Sequence, residues 1–257
     1  MRSTNIESEA GAAPGFVSRR ALLHTAWCAG LTAAVRVGGG PLSPTLAWAR
    51  ELAPRPATPD AALARLVAGN KRYAASHATH PDQSQARRVA VQTSQDPFAI
   101  VFGCIDSRVP PELVFDEGLG DLFVVRSAGH VLDDAELGSL EFGVEEFHVP
   151  LVVVLAHTRC GAIAAATDVA AGKAHAPDRV ETLTTAIRPA VDDARKQLGA
   201  TATDAALRDL AGRKHLERTV ERLRATPMFA EAIEAKTLRV VGARYSLDSG
   251  RTELLVV

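Results

Sequence analysis

Cysteine is scarce in this chain: among 257 residues there are three, Cys28, Cys104 and Cys160. So few thiols exclude a disulfide-stapled scaffold and leave room for one bridge at most. An excess of either charge is missing too, since 29 basic and 30 acidic residues give a formal net charge of −1. Nothing in that balance points to nucleic acid or to an acidic membrane surface. No run reaches the roughly 18 consecutive apolar residues of a membrane span, so stable membrane insertion of the mature chain is not expected. Internal repeats are absent, and so are low-complexity tracts beyond a Gly-rich and Pro-rich segment. What is present is apolar content of 47%, ample for the core of one large domain or two small ones.

The first residues read as an address. Ser18-Arg19-Arg20-Ala21-Leu22-Leu23 sets a twin arginine before a moderately apolar stretch at 21–37, and Ala47-Trp48-Ala49 supplies the small residues of a signal-peptidase site. That order resembles a twin-arginine export signal over residues 1–49, cleaved after Ala49, which places the mature protein in the periplasm or outside the cell. Trp27 before Cys28 argues against a lipoprotein signal. The alternative is a plain extension with a chance Arg-Arg pair, and then a cytoplasmic protein. Residues 50–59 form a proline-rich linker, and residues 60–257 form the domain.

In the domain, apolar runs alternate with helical periodicity. Strands are expected at 98–103, 121–126, 151–156, 238–247 and 252–257. The run at 121–126 is continuous enough to suggest burial on both faces. A helix capped by Thr58 or Asp60 runs from about Ala61 to Gly69-Asn70, with a short one at 87–92 and a helical turn at 112–115. Further helices are expected at 133–147, 161–171, 186–198, 204–210, 216–224 and 228–235. Asp248-Ser249-Gly250 turns the last two strands into a closing hairpin. The pattern is α/β: a mainly parallel sheet flanked by helices, with a C-terminal hairpin.

Two clusters carry the chemistry. Cys104-Ile105-Asp106-Ser107-Arg108 closes the strand at 98–103, and His157-Thr158-Arg159-Cys160-Gly161 closes the strand at 151–156. Ligands of such sheets gather beyond the carboxyl ends of the strands. Two thiols and an imidazole from neighbouring parallel strands can converge on one Zn²⁺ per chain, which accepts S and N donors tetrahedrally. With Cys28 in the removed segment, a Cys104–Cys160 disulfide is the competing reading, and the histidine three residues before Cys160 favours the metal. A water in the fourth position would be acidified toward a pKa of about 7. Asp106 is placed to accept a hydrogen bond from it, and Arg108 to hold Asp106 ionised and aimed.

These two motifs resemble the Cys-x-Asp-Ser-Arg and His-x-x-Cys-Gly pattern of the β-class carbonic anhydrases. The likeness extends through Gly120-Asp121-Leu122-Phe123-Val124-Val125-Arg126-Ser127-Ala128-Gly129-His130 and Gly138-Ser139-Leu140-Glu141-Phe142. It also takes in Leu66 to Tyr73 upstream and Val241 to Gly250 downstream, so that it spans about residues 60–257. The resemblance implies zinc on Cys104, His157 and Cys160, an Asp106–Arg108 catalytic dyad, and no cofactor beyond zinc. The implied reaction is the reversible hydration of CO₂, a small-molecule substrate, to bicarbonate and a proton by zinc-bound hydroxide. It further implies a homodimer or dimer of dimers, and Asp106 as a possible fourth ligand in a closed form.

Three departures from the family pattern stand out: Ala156 before the histidine, Thr158-Arg159 adding a cation near the metal mouth, and His130 in place of the usual Asn. His130, His148, His175 and His215 read as surface or packing residues, His130 being the one possible proton shuttle. Two other readings stay open: hydrolysis of CS₂ or carbonyl sulfide on the same fold, and a non-catalytic module with a closed structural zinc.

Overall fold

The computed structural model describes residues 54–256. The expected export signal and the first part of the expected linker lie outside the described residues. From the remainder of that linker, Arg55 donates to Pro97 O, Phe147 O and His148 O and pairs with Asp96, so this stretch is tied to the domain.

A five-stranded sheet in the order β2-β1-β3-β4-β5 forms the centre. Its strands are β1 Ala99–Cys104, β2 Leu122–Ser127, β3 Leu151–His157, β4 Arg239–Tyr245 and β5 Thr252–Val256. The first four run parallel, and β5 returns antiparallel to β4 around the expected turn. The chain passes from β1 to β2 on one side, then to β3 on the other side of β1. The order therefore reverses between β1 and β3, the place where sheets of this kind open a crevice.

Side chains of β1 and β3 alternate between two cores, as strand periodicity requires. Ile100, Phe102, Val152 and Val154 face Leu140 and Val144 of α4 (Asp134–Phe147), Leu216, Val220 and Leu223 of α7 (Asp204–Arg224), and Phe229 of α8 (Pro227–Glu234). Val101, Val153 and Leu155 face Leu66 of α1 (Pro59–Ala74) and Val114 of α3 (Pro111–Val114). Outside these stand α2 (Gln85–Ala90), α5 (Gly161–Ala170) and α6 (Val180–Leu198). Among the described residues, no helix is long and apolar enough to cross a membrane.

Three expectations need correction. First, β2 is not buried on both faces: every residue in it is half-buried, because the crossover leaves it at the sheet edge. An apolar run alone does not distinguish a central strand from an edge strand that is still to be covered. Second, α1 does not stop at Gly69-Asn70 but continues to Ala74. Gly69 is there for close approach, since a Cβ would lie 1.7 Å from Phe115 O. Asn70 donates to Val114 O and Gly250 O and accepts from Thr252 N–H, linking α1 to the hairpin. Third, the expected helices at 204–210 and 216–224 are a single α7. A helical glycine costs about 1 kcal/mol, which packing against α5 and α6 overrides at Gly212.

Candidate metal centre

β1 and β3 are hydrogen-bonded neighbours, in register up to Gly103↔Leu155. Adjacent strands lie about 4.8 Å apart, so Cys104 at the end of β1 and His157 at the end of β3 meet over the crevice. Cys160 arrives from the same side as the N-cap of α5. One donor atom from each of these three residues lies within 4.8 Å of the others, and all three residues are buried. The two Sγ atoms are 3.9 Å apart and form no disulfide. Their contact, in which either thiol can be the donor, draws Cys104 down and pushes Cys160 up, so the two titrate as a pair.

Among the described residues, the donor set fits a soft divalent cation. His157 Nδ1 donates to Thr158 O at 3.0 Å, which leaves the lone pair on Nε2. That Nε2 is buried with no hydrogen-bond partner, and an unpaired buried nitrogen among thiols is what a metal ligand presents. Thr158 is anchored in turn: its N–H donates to Tyr245 O and its Oγ1 accepts from Leu247 N–H.

Asp106 stands beside the donors, its Oδ2 3.8 Å from His157 Nε2. Arg108 grips it through two side-chain hydrogen bonds of 2.9 and 2.7 Å and one from its backbone N–H of 3.0 Å. The Arg108 side chain is the main reason Asp106 sits well below the usual carboxylate range. All five residues singled out in the two clusters therefore come together. Arg159, expected to bring a cation to the mouth, pairs with Asp248 at 2.8 Å.

His130, expected as a surface or packing residue and the one possible proton shuttle, is a packing residue. It is 2% exposed, and neither ring nitrogen has a partner. It packs between Phe102 and His215, and burial drives it well below its ordinary value.

Sequence reasoning assigned no role to Arg126 and Gly129, which support Cys104. Gly129 N–H donates to Cys104 Sγ at 3.2 Å, and His215 Nε2 bonds Gly129 O at 3.0 Å. Gly129 has φ +67°, open to glycine at little cost. From β2, Arg126 reaches the backbone of the Cys104 loop. The available signal was position: an arginine ending a strand and a glycine just after it, both beside the strand that carries the first ligand.

A parallel sheet with three soft donors at its switch point, next to an ionised carboxylate, defines an α/β protein built around a metal site. Comparisons with known proteins make this specific. The pattern of the carbonic anhydrase family matches residues 99–252. Carbonic anhydrase 2 of Mycobacterium tuberculosis is 40% identical over 201 residues, 76% of this chain and 92% of that protein. The carbonic anhydrase of Mycolicibacterium smegmatis is 40% identical over 198 residues, 76% and 93% of the two chains. Among solved structures, the β-carbonic anhydrase CafA of Aspergillus fumigatus aligns with a TM-score of 0.60 at 25% identity, over 75% of this chain and 90% of its own. A tetrameric β-carbonic anhydrase of Sordaria macrospora shares the fold at TM-score 0.61 and 21% identity, over 75% of this chain and 96% of its own. This chain belongs to the carbonic anhydrase family, in its β class.

Proposed function

We propose that this chain hydrates CO₂ reversibly to bicarbonate and a proton, using one Zn²⁺ held by Cys104 Sγ, His157 Nε2 and Cys160 Sγ. The observation that carries the reading is the convergence of those three buried donors beside the Asp106–Arg108 pair. When bound, Zn²⁺ with three protein ligands and one open position acidifies water toward neutral pH and so supplies the nucleophile.

The residues supply the rest. Because Arg108 holds Asp106 ionised, its carboxylate accepts hydrogen bonds and donates none. Oδ2 can therefore take a hydrogen bond from the attacking water and turn the oxygen lone pair toward the substrate carbon. Cys104 and Cys160 sit against Ile163, Ile187 and Val191, apolar neighbours that keep water from the back of the ligands. Among the described residues, no fourth His, Cys, Asp or Glu completes the donor group, and Asp106 is engaged by Arg108. A closed structural zinc needs such a fourth ligand. Stopped-flow measurement of CO₂ hydration, set beside sulfide release from CS₂ and carbonyl sulfide, tests the assignment. Sulfide release without CO₂ hydration would transfer it to the sulfur substrates.

The edge of the sheet supports a homodimer, or a dimer of such dimers. Among the described residues, β2 leaves one row of backbone groups unpaired, and Phe123, Val124 and Val125 line a groove with α4, where Phe142 is 58% exposed. An apolar edge strand left open invites aggregation, and a second copy related by a two-fold axis covers the same patch on both chains. Phe142→Asp should yield a smaller species in sedimentation velocity. Residues 1–49 are proposed as the export signal: fused to a reporter, they should carry it across the membrane and fail once Arg19 and Arg20 are both Lys.

A further inference from the structure

Cys104 and Asp106 lie on one short loop, yet they have different tasks: one must hold a metal and the other must aim at what the metal binds. Their relative placement depends on the loop backbone. Arg108 does not secure it, because its side chain is 53% exposed and grips only the Asp106 carboxylate. Within the loop, Val109 N–H donates to Asp106 O, and Ile105 N–H donates to Ser127 O on β2.

The larger tie comes from Arg126. β1 and β2 pair with Gly103↔Arg126 and Cys104↔Ser127 in register, so Arg126 stands beside the point where the loop leaves the sheet. Its Nε donates to Cys104 O at 2.8 Å, and its Nη2 donates to Asp106 O at 2.7 Å and, more weakly, to Val109 O at 3.4 Å. One half-buried guanidinium thus collects the first, middle and last carbonyls of the segment. Among the described residues, no carboxylate lies within ion-pair distance of Arg126, so its donors are committed to this backbone.

We infer that Arg126 is a positioning residue, a clamp that fixes the Cys104 backbone and the Asp106 backbone relative to each other. Arg126 sets where the Asp106 side chain begins, and Arg108 sets how it is rotated. Only a planar fork spans these carbonyls from one side chain: lysine offers a point charge and cannot bridge them all. The clamp rests on the proposed hydration for its catalytic consequence, but not for its effect on the loop.

The experiment compares Arg126→Lys and Arg126→Met in the mature holoenzyme. Both should retain about one zinc per chain. Supporting residues around metal sites change affinity or activity by about 10- to 100-fold, so kcat per bound zinc should fall by that factor in Arg126→Met and by less in Arg126→Lys. KM should stay within about threefold, since the loss concerns aim rather than substrate binding. Amide exchange across residues 104–109 should quicken, and zinc should pass to a chelator about tenfold faster. If Arg126→Met does not fold, Arg126→Lys decides. Wild-type kcat per zinc together with unchanged loop exchange in the folded variant would overturn the inference. A wild-type enzyme that holds zinc but hydrates no CO₂ would refute the proposed function instead, while loop exchange and chelation rates would still judge the clamp.

Discussion

Replacing Gly129 by alanine puts the fold and the metal site under one perturbation. Gly129 adopts φ +67°, and an L-residue held there pays about 1–2 kcal/mol. The added Cβ would stand 2.8 Å from Ala162 Cβ and 3.1 Å from Ile187 Cδ1. The isoleucine tip can turn aside. The alanine methyl has no rotamer to change and sits at the start of α5, next to Cys160, so the helix or the turn must shift. Overpacking of that kind costs about 1–3 kcal/mol. The sum, about 2–5 kcal/mol, corresponds to a melting point lower by roughly 5–20 °C for a domain of this size. Gly172→Ala is the matched control, because Gly172 has the same φ of +67° with nothing within 4 Å of an added Cβ. It should lose only the conformational part, about 1–2 kcal/mol. Calorimetry of both variants alongside metal analysis reads the difference. If Gly129 yields by turning its N–H away from Cys104 Sγ, zinc should also leave about 10- to 100-fold faster. Equal melting points for the two variants, with wild-type zinc retention, would refute the reasoning.

Other consequences follow from charged groups. Asp106→Asn keeps the shape and loses the ionised acceptor: zinc content should be unchanged and kcat lower by about 10²- to 10⁴-fold, and an active variant would remove Asp106 from the reaction. Glu117, its side chain 1% exposed, shares Arg65 with Asp121. Burial outweighs the Arg65 contact and pushes Glu117 up to about 7, from 4.5 when unperturbed. A carboxyl raised on folding contributes fully below the lower value, and that contribution is lost as pH rises toward and through the higher one. Glu117→Gln should therefore gain stability relative to wild type between about pH 5 and pH 8, by up to about 3 kcal/mol in urea unfolding. A relative loss would show that Arg65 outweighs burial.

Most of the fold was legible because its signals are local. The runs behind β1 and β3 are apolar and short, and Asp133 caps α4 by accepting from Ala135 and Glu136 N–H. The donors were legible because they stand in two compact clusters at strand ends. What escaped depends on contacts distant in sequence. Gly69 read as a helix stop because its true neighbour, Phe115 O, is brought there by the fold. β2 read as buried because its place at the edge follows from the crossover to β3. His130 read as a candidate relay because nothing local shows that Phe102 and His215 enclose it. Arg126 was quoted only as part of a family stretch, since its partners lie across the strand pair.

The most direct test of the central claim sets metal content beside CO₂ hydration for the wild-type chain and for Cys160→Ser. The expected result is about one zinc per wild-type chain with hydration that strengthens above neutral pH, and loss of both zinc and hydration in the variant. A Cys160→Ser protein that is metal-replete and fully active would contradict it.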